Sequence, residues 1–502
     1  MKKLSKLMQE NRFLVRPFVA LLLIYLLGIS AILLSGVHYA DDVARTNLGY
    51  AGWVTFSRYL NTLLSFGLYA DTYLANLAPL PQILAVGVLA AASLVLICLV
   101  SGKEVFQEKW TRWIWQVVAV IPLGLCPYML ECLSYQYDAP YMMLSVLAAV
   151  APFLVWKKGW RWWVPAMVLG ILVACTTYQA SVGILLAMIV AVALKDWGEG
   201  EKTKEVVKSL ALAGAVCLIT LVVFEKFLMV PKDTYVSNDL PAAGVFVQTV
   251  FQHLGQYYTL VVRDFKALWL GLMGMIGAGF IVLYTIQARQ NKILAALVAV
   301  AGVAMMLMAV YAPYAALESP LYTTRAMYGI GAVLAVMGAY IVSCRGWKLV
   351  MAVPVVAISW CFYSFGFTYG NALEEQGRFR DQEINMVIAD LNGILPELGE
   401  EQKYIQTTGQ IDFAPSIQHL PARTQRMVRR LLKPSFGRDT YWMAYKLTEM
   451  SGLKKLRFSP EVDLREKNLP VLRQTELYII YGDREGILVE FTGEKYETAD
   501  YS

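Results

Sequence analysis

Long apolar segments without charge recur along the chain, and they restrict its possible folds more than any other feature of the sequence. A helix that crosses a lipid bilayer needs about 20 consecutive, mostly apolar residues. On this criterion we predict spans at 18–37, 79–100, 113–130, 139–156, 162–177, 178–194, 209–229, 267–287, 293–312, 326–344 and 349–369. The chain is 57% hydrophobic and 16% charged, whereas a soluble protein carries roughly 25% charged residues. The sequence therefore predicts an all-α polytopic bundle of about eleven transmembrane helices, surrounded by membrane lipid.

The Lys and Arg residues of the loops predict how the bundle lies in the membrane, because cytoplasmic loops are rich in these residues. Residues 162–194 carry no charge and are long for one helix but short for two. With two crossings there and a cytoplasmic N-terminus, most basic loop residues fall on the cytoplasmic side. A single crossing would place many of them outside. The sequence thus predicts two crossings, a cytoplasmic N-terminus and an extracytoplasmic C-terminal region.

The composition changes abruptly after Tyr369, where a run of acidic, basic and amide side chains begins. We predict a transmembrane domain over residues 1–369 and an extracytoplasmic α/β domain over residues 370–502. The predicted elements of the second domain are a helix near 373–395, a strand near 403–409, a basic helix near 421–433, an aromatic segment at 440–450 and a strand pair at 476–481 and 486–491.

In this orientation the polar side chains close to the membrane collect on its outer face. Two long outer stretches, residues 43–78 and 245–262, carry apolar side chains at the spacing that is typical of a helix lying in the membrane interface. The polar residues of the outer loops include His38, Asp41, Asp42, Glu131, Asp138, Tyr178, Gln179, Glu318 and Arg325. Charge near membrane depth is costly, so it is usually retained for function or lines a wet cavity.

Each of these groups also has a purely structural interpretation. The Asp41-Asp42 pair could be solvated, and Asp138 could cap the span that follows it. Arg325 could anchor a helix at the interface, and the dipeptide Tyr178-Gln179 could satisfy backbone groups at a tight turn. A hydroxyl nucleophile needs a carboxylate base, however, and a phosphate needs a fixed cation. The combination of acids with a cation on one face favours a site for an anionic, lipid-borne substrate.

Six short motifs give the chain a resemblance to a known family. They are Tyr-Ala-Asp-Asp at 39–42, Gly-Trp at 52–53, Arg-Tyr at 58–59, Leu-Ala-Pro-Leu-Pro-Gln at 77–82, Ser-Tyr-Gln-Tyr-Asp-Ala-Pro-Tyr at 134–141 and Thr-Tyr-Gln-Ala at 177–180. With the acidic pair in the first outer loop and an outer C-terminal domain, the chain resembles GT-C-type glycosyltransferases, which use lipid-linked phosphosugars. More narrowly, it is similar to the bacterial type II glucosyltransferase family, which modifies surface polysaccharides such as O-antigen.

The resemblance implies a GT-C-like catalytic domain that transfers a hexose, expected to be glucose. The donor would be a polyprenyl-phosphate sugar, and the acceptor would be a glycan outside the membrane. The transfer would invert the configuration at the anomeric carbon. Asp41 or Asp42 would accept the proton of the acceptor hydroxyl. Arg325 would hold the donor phosphate, and Asp138 would orient sugar hydroxyls or a basic partner. The dipeptide Tyr178-Gln179 would belong to the substrate-binding residues. No cofactor or metal site is expected, although some GT-C enzymes use a divalent cation. The implied location is the bacterial cytoplasmic membrane.

Two other functions stay open at the level of the sequence. A transporter or flippase of lipid-linked sugars would place charged or broken-helix features near the bilayer midplane and often has internal repeats, and the sequence has neither. A polymerase or ligase of surface glycans would use similar donors at the same outer face. Nucleic acid is not an expected partner, because the net charge of +6 is modest and is spread over membrane loops.

Overall fold

The computed structural model describes residues 12–229, 239–344, 348–432, 441–459 and 462–493. Its helices up to the last span are α1 (Val15–Gly28), α2 (Ser30–Ser35), α3 (Asp42–Leu48), α4 (Tyr59–Tyr69), α5 (Leu80–Ser101), α6 (Trp110–Leu125), α7 (Pro127–Ser134), α8 (Ala139–Val150), α9 (Trp160–Thr177), α10 (Val182–Gly198), α11 (Thr203–Phe227), α12 (Phe246–Asp264), α13 (Ala267–Gln287), α14 (Lys292–Ala309), α15 (Ala312–Ala315), α16 (Gly329–Ser343) and α17 (Lys348–Ile394). The C-terminal elements are β1 (Lys403–Gln410), α18 (Pro415–Gln418), α19 (Ala422–Leu432), α20 (Tyr441–Tyr445), β2 (Leu456–Arg457), β3 (Val471–Gln474), β4 (Tyr478–Gly482) and β5 (Gly486–Thr492).

Eight of the described helices are long and apolar enough to cross a membrane. They are Leu80–Ser101, Ala139–Lys158, Trp160–Thr177, Gln179–Gly198, Thr203–Phe227, Ala267–Gln287, Lys292–Ala309 and Val350–Ile394. The bent pair α6 and α7 would add a ninth. The predicted span 18–37 is divided between α1, which has 14 residues, and α2, which has six. The predicted span 326–344 corresponds to α16, which has 15 residues. A mostly helical bundle of apolar spans is confirmed, whereas the number of eleven stays a prediction.

The uncharged segment 162–194 forms a helical hairpin. Its two helices are separated at Tyr178, whose backbone is extended (φ −150°, ψ 103°). The two ends of the hairpin meet, because Lys157, just before the first helix, pairs with Asp196 near the end of the second at 2.5 Å. The segment therefore contains two candidate spans, as predicted, and their crossing of the membrane stays a prediction.

A bend of 64° separates α6 from α7. Cys126 lies at the bend with an extended ψ of 134°, as expected for the residue before a proline, here Pro127. The span predicted over 113–130 is thus divided into two helices at this bend. After the bend, α7 runs through the protein interior, where all eight of its residues are buried. The bend thus directs Glu131 and the loop after α7 towards the end of the bundle where Arg325 lies.

The last span continues without a break as α17, a helix of 47 residues. The predicted separate helix near 373–395 is therefore the second half of α17. At 1.5 Å per residue α17 is roughly 70 Å long, more than twice the roughly 30 Å of a hydrocarbon layer. Residues 370–394 contain no proline, so nothing in them forces the helix to end where the composition becomes polar.

The C-terminal region contains a five-stranded mixed sheet of order β2-β1-β5-β4-β3. Strand β1 is parallel to β2 and β5, whereas β4 is antiparallel to β5 and β3. The predicted strand near 403–409 and the predicted strand pair are confirmed as β1, β4 and β5. The sequence did not predict β2 and β3, which have only two and four residues. Apolar residues from the end of α17, including Val387 and Leu391, pack against this sheet.

Helix α19 confirms the predicted basic helix and attaches the C-terminal region to the membrane bundle. Its apolar residues Met427, Val428 and Leu431 are fully buried in the same core as the spans. On the same helix, Arg430 Nη1 lies 2.5 Å from a carboxylate oxygen of Asp264, at the end of α12. The boundary predicted between residues 369 and 370 stays a prediction.

The two predicted interfacial stretches differ in outcome. Residues 245–262 form one helix, α12, as predicted. Residues 43–78 form the two helices α3 and α4, because the chain turns at Gly49 (φ 61°) and Gly52 (φ 66°). A Cβ atom at Gly49 would lie 2.1 Å from the Tyr73 ring, so the turn also requires glycine for space.

We expect the orientation of the bundle to be readable by thiol labelling. A single Cys at Asn47 or Thr475 of a Cys-free variant should react with a membrane-impermeant reagent in intact cells. A Cys at Glu199 should not react, because this residue belongs to the predicted cytoplasmic side. Labelling at Glu199 without labelling at Thr475 would reverse the predicted orientation. Ser237, a further predicted outer position, lies outside the described residues.

Candidate active site

Asp42 is a buried carboxylate that ties the first polar loop to the second. It begins α3, and its Oδ2 accepts hydrogen bonds from the backbone N–H of Gln136 at 2.8 Å and of Tyr39 at 3.3 Å. Burial raises the pKa of Asp42 well above its usual range, and the Gln136 hydrogen bond opposes this shift. Asp42 is therefore held in place by backbone groups on two loops.

Asp41 differs from its neighbour because its side chain is reachable. About a third of its side-chain surface, 34%, is exposed. Its carboxylate lies 3.9 Å from the guanidinium of Arg45, one helical turn further along. The acidic pair thus consists of an accessible carboxylate and a buried one.

Asp138 is held by two donors from the first polar loop. Its Oδ1 accepts the indole N–H of Trp53 at 2.5 Å, and its Oδ2 forms an ion pair with Arg45. Only 3% of either side chain in this ion pair is exposed. The guanidinium of Arg45 also lies 4.7 Å from the centre of the Trp53 ring. Asp138 therefore has a basic partner, Arg45, in the structure, and its role towards the substrate stays a prediction.

The sequence reasoning missed Arg45. The available signal was its position four residues after Asp41, which puts the two side chains on one face of a helix. Its pairing with Asp138, 93 residues away, leaves no mark in local composition.

Arg325 lies in a short 3-10 turn, Thr324–Ala326. A carboxylate oxygen of the buried Glu131 accepts the backbone N–H of Arg325 at 2.7 Å and the hydroxyl proton of Thr324. The Arg325 guanidinium donates to the hydroxyl of Tyr135. Helix α7 therefore positions the backbone of Arg325 through Glu131, and Tyr135, the residue after this helix, positions the guanidinium.

Tyr178 and Gln179 satisfy backbone groups, as their structural interpretation predicts. The Tyr178 hydroxyl donates to the carbonyl of Arg325 at 3.1 Å, and Gln179 Nε2 donates to the carbonyl of Phe56 at 3.3 Å. The Tyr178 ring faces the guanidinium of Arg58 at 4.8 Å. Arg58 is a second cation of this region that was not predicted as a site residue, although it belongs to one of the six motifs.

The structure thus brings the predicted site residues to one end of the bundle, here called the acidic end. They form two groups: Asp41 and Asp42 with Asp138, and Arg325 with Tyr178 and Gln179. The ring pair of Tyr39 and Tyr135, whose centres are 4.9 Å apart, joins them. Tyr39 lies beside Asp42, and Tyr135 accepts the hydrogen bond from Arg325.

Comparison with known proteins decides the family. The profile of the family described as Glucosyl transferase GtrII matches residues 30–321, more than half of the 502-residue chain. The chain belongs to the glucosyl transferase GtrII family. The resemblance inferred from the six motifs is thereby confirmed, and the chain is a glycosyltransferase. The search of curated proteins and the search of solved structures gave no match.

The range that matches the GtrII family includes five of the six predicted site residues and ends just before Arg325. The individual roles of all six therefore stay predictions. In the described part of the chain, no group of three or more His, Cys, Asp and Glu side chains is arranged to hold a metal ion. The expectation that transfer needs no cofactor stays a prediction.

Proposed function

We propose that this GtrII-family chain transfers glucose from a polyprenyl-phosphate donor to a surface glycan, at the outer face of the bacterial cytoplasmic membrane. The observation that carries the proposal is the division of the acidic pair, in which one carboxylate is accessible and its neighbour is locked between two loops. A base must reach the acceptor hydroxyl and must also be held in position. Asp41 beside Asp42 meets both requirements.

In the proposed reaction, the acceptor oxygen attacks the anomeric carbon of glucose while the bond from that carbon to the donor phosphate breaks. Asp41 takes the proton of the attacking hydroxyl, and Asp42 orients the turn that carries Asp41. The polyprenyl phosphate leaves with an additional negative charge, which Arg325 stabilises because a fixed cation is most effective where charge develops. A single displacement of this kind inverts the configuration at the anomeric carbon.

We expect the purified full-length chain to transfer glucose from polyprenyl-phosphate glucose to a glycan acceptor. The measurement is the amount of sugar attached to the acceptor, compared with a donor in which glucose is joined directly to polyprenol without phosphate. Movement of the intact donor between leaflets, with no sugar attached to any acceptor, would refute the proposal in favour of a transporter.

Two replacements of Arg325 should distinguish the effect of its positive charge from the effect of its planar guanidinium geometry. We expect Arg325→Ala to lower kcat/KM for the donor roughly 10- to 100-fold, as for the loss of hydrogen bonds to a charged group. Arg325→Lys should lose less, because an ammonium keeps the charge but lacks the planar two-point donor geometry. Unchanged donor kinetics in the alanine variant would remove Arg325 from the phosphate site.

A further inference from the structure

Arg58 is a partly buried cation that none of the described residues neutralises. Its guanidinium contacts two aromatic rings, that of Phe56 at 5.3 Å and that of Tyr178 at 4.8 Å. Its Nε is buried and has no hydrogen-bond partner, and no ion pair in the described part of the chain includes it. Partial burial makes an unpaired charge less stable than it is in water, so this guanidinium has the properties of a site for an anion.

The local fold holds Arg58 in this position. The turn Val54–Phe56 precedes it, and Gln179 fixes that turn by donating to the carbonyl of Phe56. Ser57, next to Arg58, is buried and has a φ of 61°, which residues other than glycine rarely adopt. Such backbone conformations persist where the surrounding structure imposes them, often at functional sites.

Tyr178 connects Arg58 to the cation already assigned to the donor phosphate. The Tyr178 ring faces the Arg58 guanidinium, and its hydroxyl donates to the backbone of Arg325. Both arginines therefore contact one tyrosine at the acidic end, Arg58 through its guanidinium and Arg325 through its backbone carbonyl. An anion between two like charges would lower their mutual repulsion and supply the missing acceptor for Arg58.

The helix that follows Arg58 has an apolar face suited to a lipid chain. Tyr59, Leu63 and Phe66 lie three or four residues apart on α4 and are all exposed, with Leu63 exposing 65% of its surface. A phosphate carried by a lipid would meet the guanidinium while its hydrocarbon chain covers this face. A free phosphate would use the guanidinium alone.

We propose that Arg58 is a second phosphate-binding residue, which holds the phosphate of the polyprenyl substrate together with Arg325. The inference rests on the proposed function, because it concerns the same donor. In this inference the motifs at 58–59 and 177–180 act together, because Tyr178 and Gln179 position Arg58 to bind the phosphate.

The test is a binding measurement that needs no transfer. Full-length protein is titrated with polyprenyl phosphate that carries no sugar, with polyprenol, with inorganic phosphate and with phosphatidylglycerol vesicles. We expect Arg58→Ala to weaken polyprenyl-phosphate binding roughly 10- to 100-fold, with polyprenol binding unchanged. Arg58→Lys should lose less. Arg112→Ala is the control, because Arg112 is exposed and pairs with Glu108 away from the site.

The outcomes separate the inference from the proposed function. Parent-like polyprenyl-phosphate binding by a folded Arg58→Ala variant, with weakened binding by Arg325→Ala, overturns the role of Arg58 alone. Equal binding of polyprenyl phosphate and polyprenol by the parent chain refutes the proposed donor. An equal loss of vesicle binding and polyprenyl-phosphate binding shows a general headgroup site and also overturns the inference, as does binding of inorganic phosphate by the parent chain that is as tight as its binding of polyprenyl phosphate.

Discussion

Replacing Asp41 with Asn is expected to lower glucose transfer by roughly 10²- to 10⁴-fold. Asn preserves the size and polarity of Asp but cannot accept a proton from the acceptor hydroxyl. Because the Asp41 side chain is partly exposed and its ion pair with Arg45 is long, folding should hardly change. The measurement is the rate of sugar transfer by purified protein, with thermal unfolding recorded in parallel.

Two variants control for this result. Asp42→Asn should lower transfer less than Asp41→Asn and should lower the unfolding temperature more, because Asp42 is buried and accepts two backbone hydrogen bonds. Asp71→Asn should change neither quantity, since Asp71 is an exposed residue that bonds only to the neighbouring turn. Parent-like transfer by both variants of the acidic pair and by the double variant would remove the pair from the chemistry.

Replacing Asp138 with Ala is expected to cost about 3–5 kcal/mol in the free energy of unfolding, because it leaves the Arg45 guanidinium buried and unpaired. The Trp53 N–H also loses its acceptor. A double variant, Arg45→Met with Asp138→Leu, should recover most of the stability, since it removes both charges and keeps apolar volume. The measurement is denaturant unfolding of the purified chain.

A surface ion pair provides the comparison for Asp138. Arg473→Ala breaks a partly exposed pair with Asp390 and should cost less than about 1 kcal/mol. Should Asp138→Ala keep the parent stability and raise only the KM for a sugar substrate, Asp138 would be a substrate-binding residue and the structural role argued above would be wrong.

The sequence predicted what depends on local composition. Uncharged stretches of spanning length predicted the bundle, and the hairpin over 162–194 followed from loop charge. The strands β1, β4 and β5 were visible because alternating apolar residues and a turn mark them. The composition change at Tyr369 was misread as the end of a helix, because polarity shows where a helix leaves an apolar layer and not where its hydrogen bonds stop.

The contacts that build the candidate site were less predictable, because they join residues far apart in the chain. The Asp41-Asp42 pair stood out by its position after the first span. Neither the pairing of Arg45 with Asp138 nor the contact of Arg58 with Tyr178 has a local sequence signal. These residues come into contact only because the turns at Gly49, Gly52 and Cys126 set the directions of the helices, and the sequence alone does not give those directions.

The unbroken helix α17 has a mechanical consequence for the C-terminal sheet. A stiff rod that begins in the hydrocarbon layer and ends in the sheet transmits every tilt or vertical shift of the last span to that sheet. Helix α19, anchored by Arg430 on Asp264, opposes such movement because it fixes the same region to a different part of the bundle. A bilayer of altered thickness, to which spans adjust by tilting, would therefore load the contact between α19 and α12.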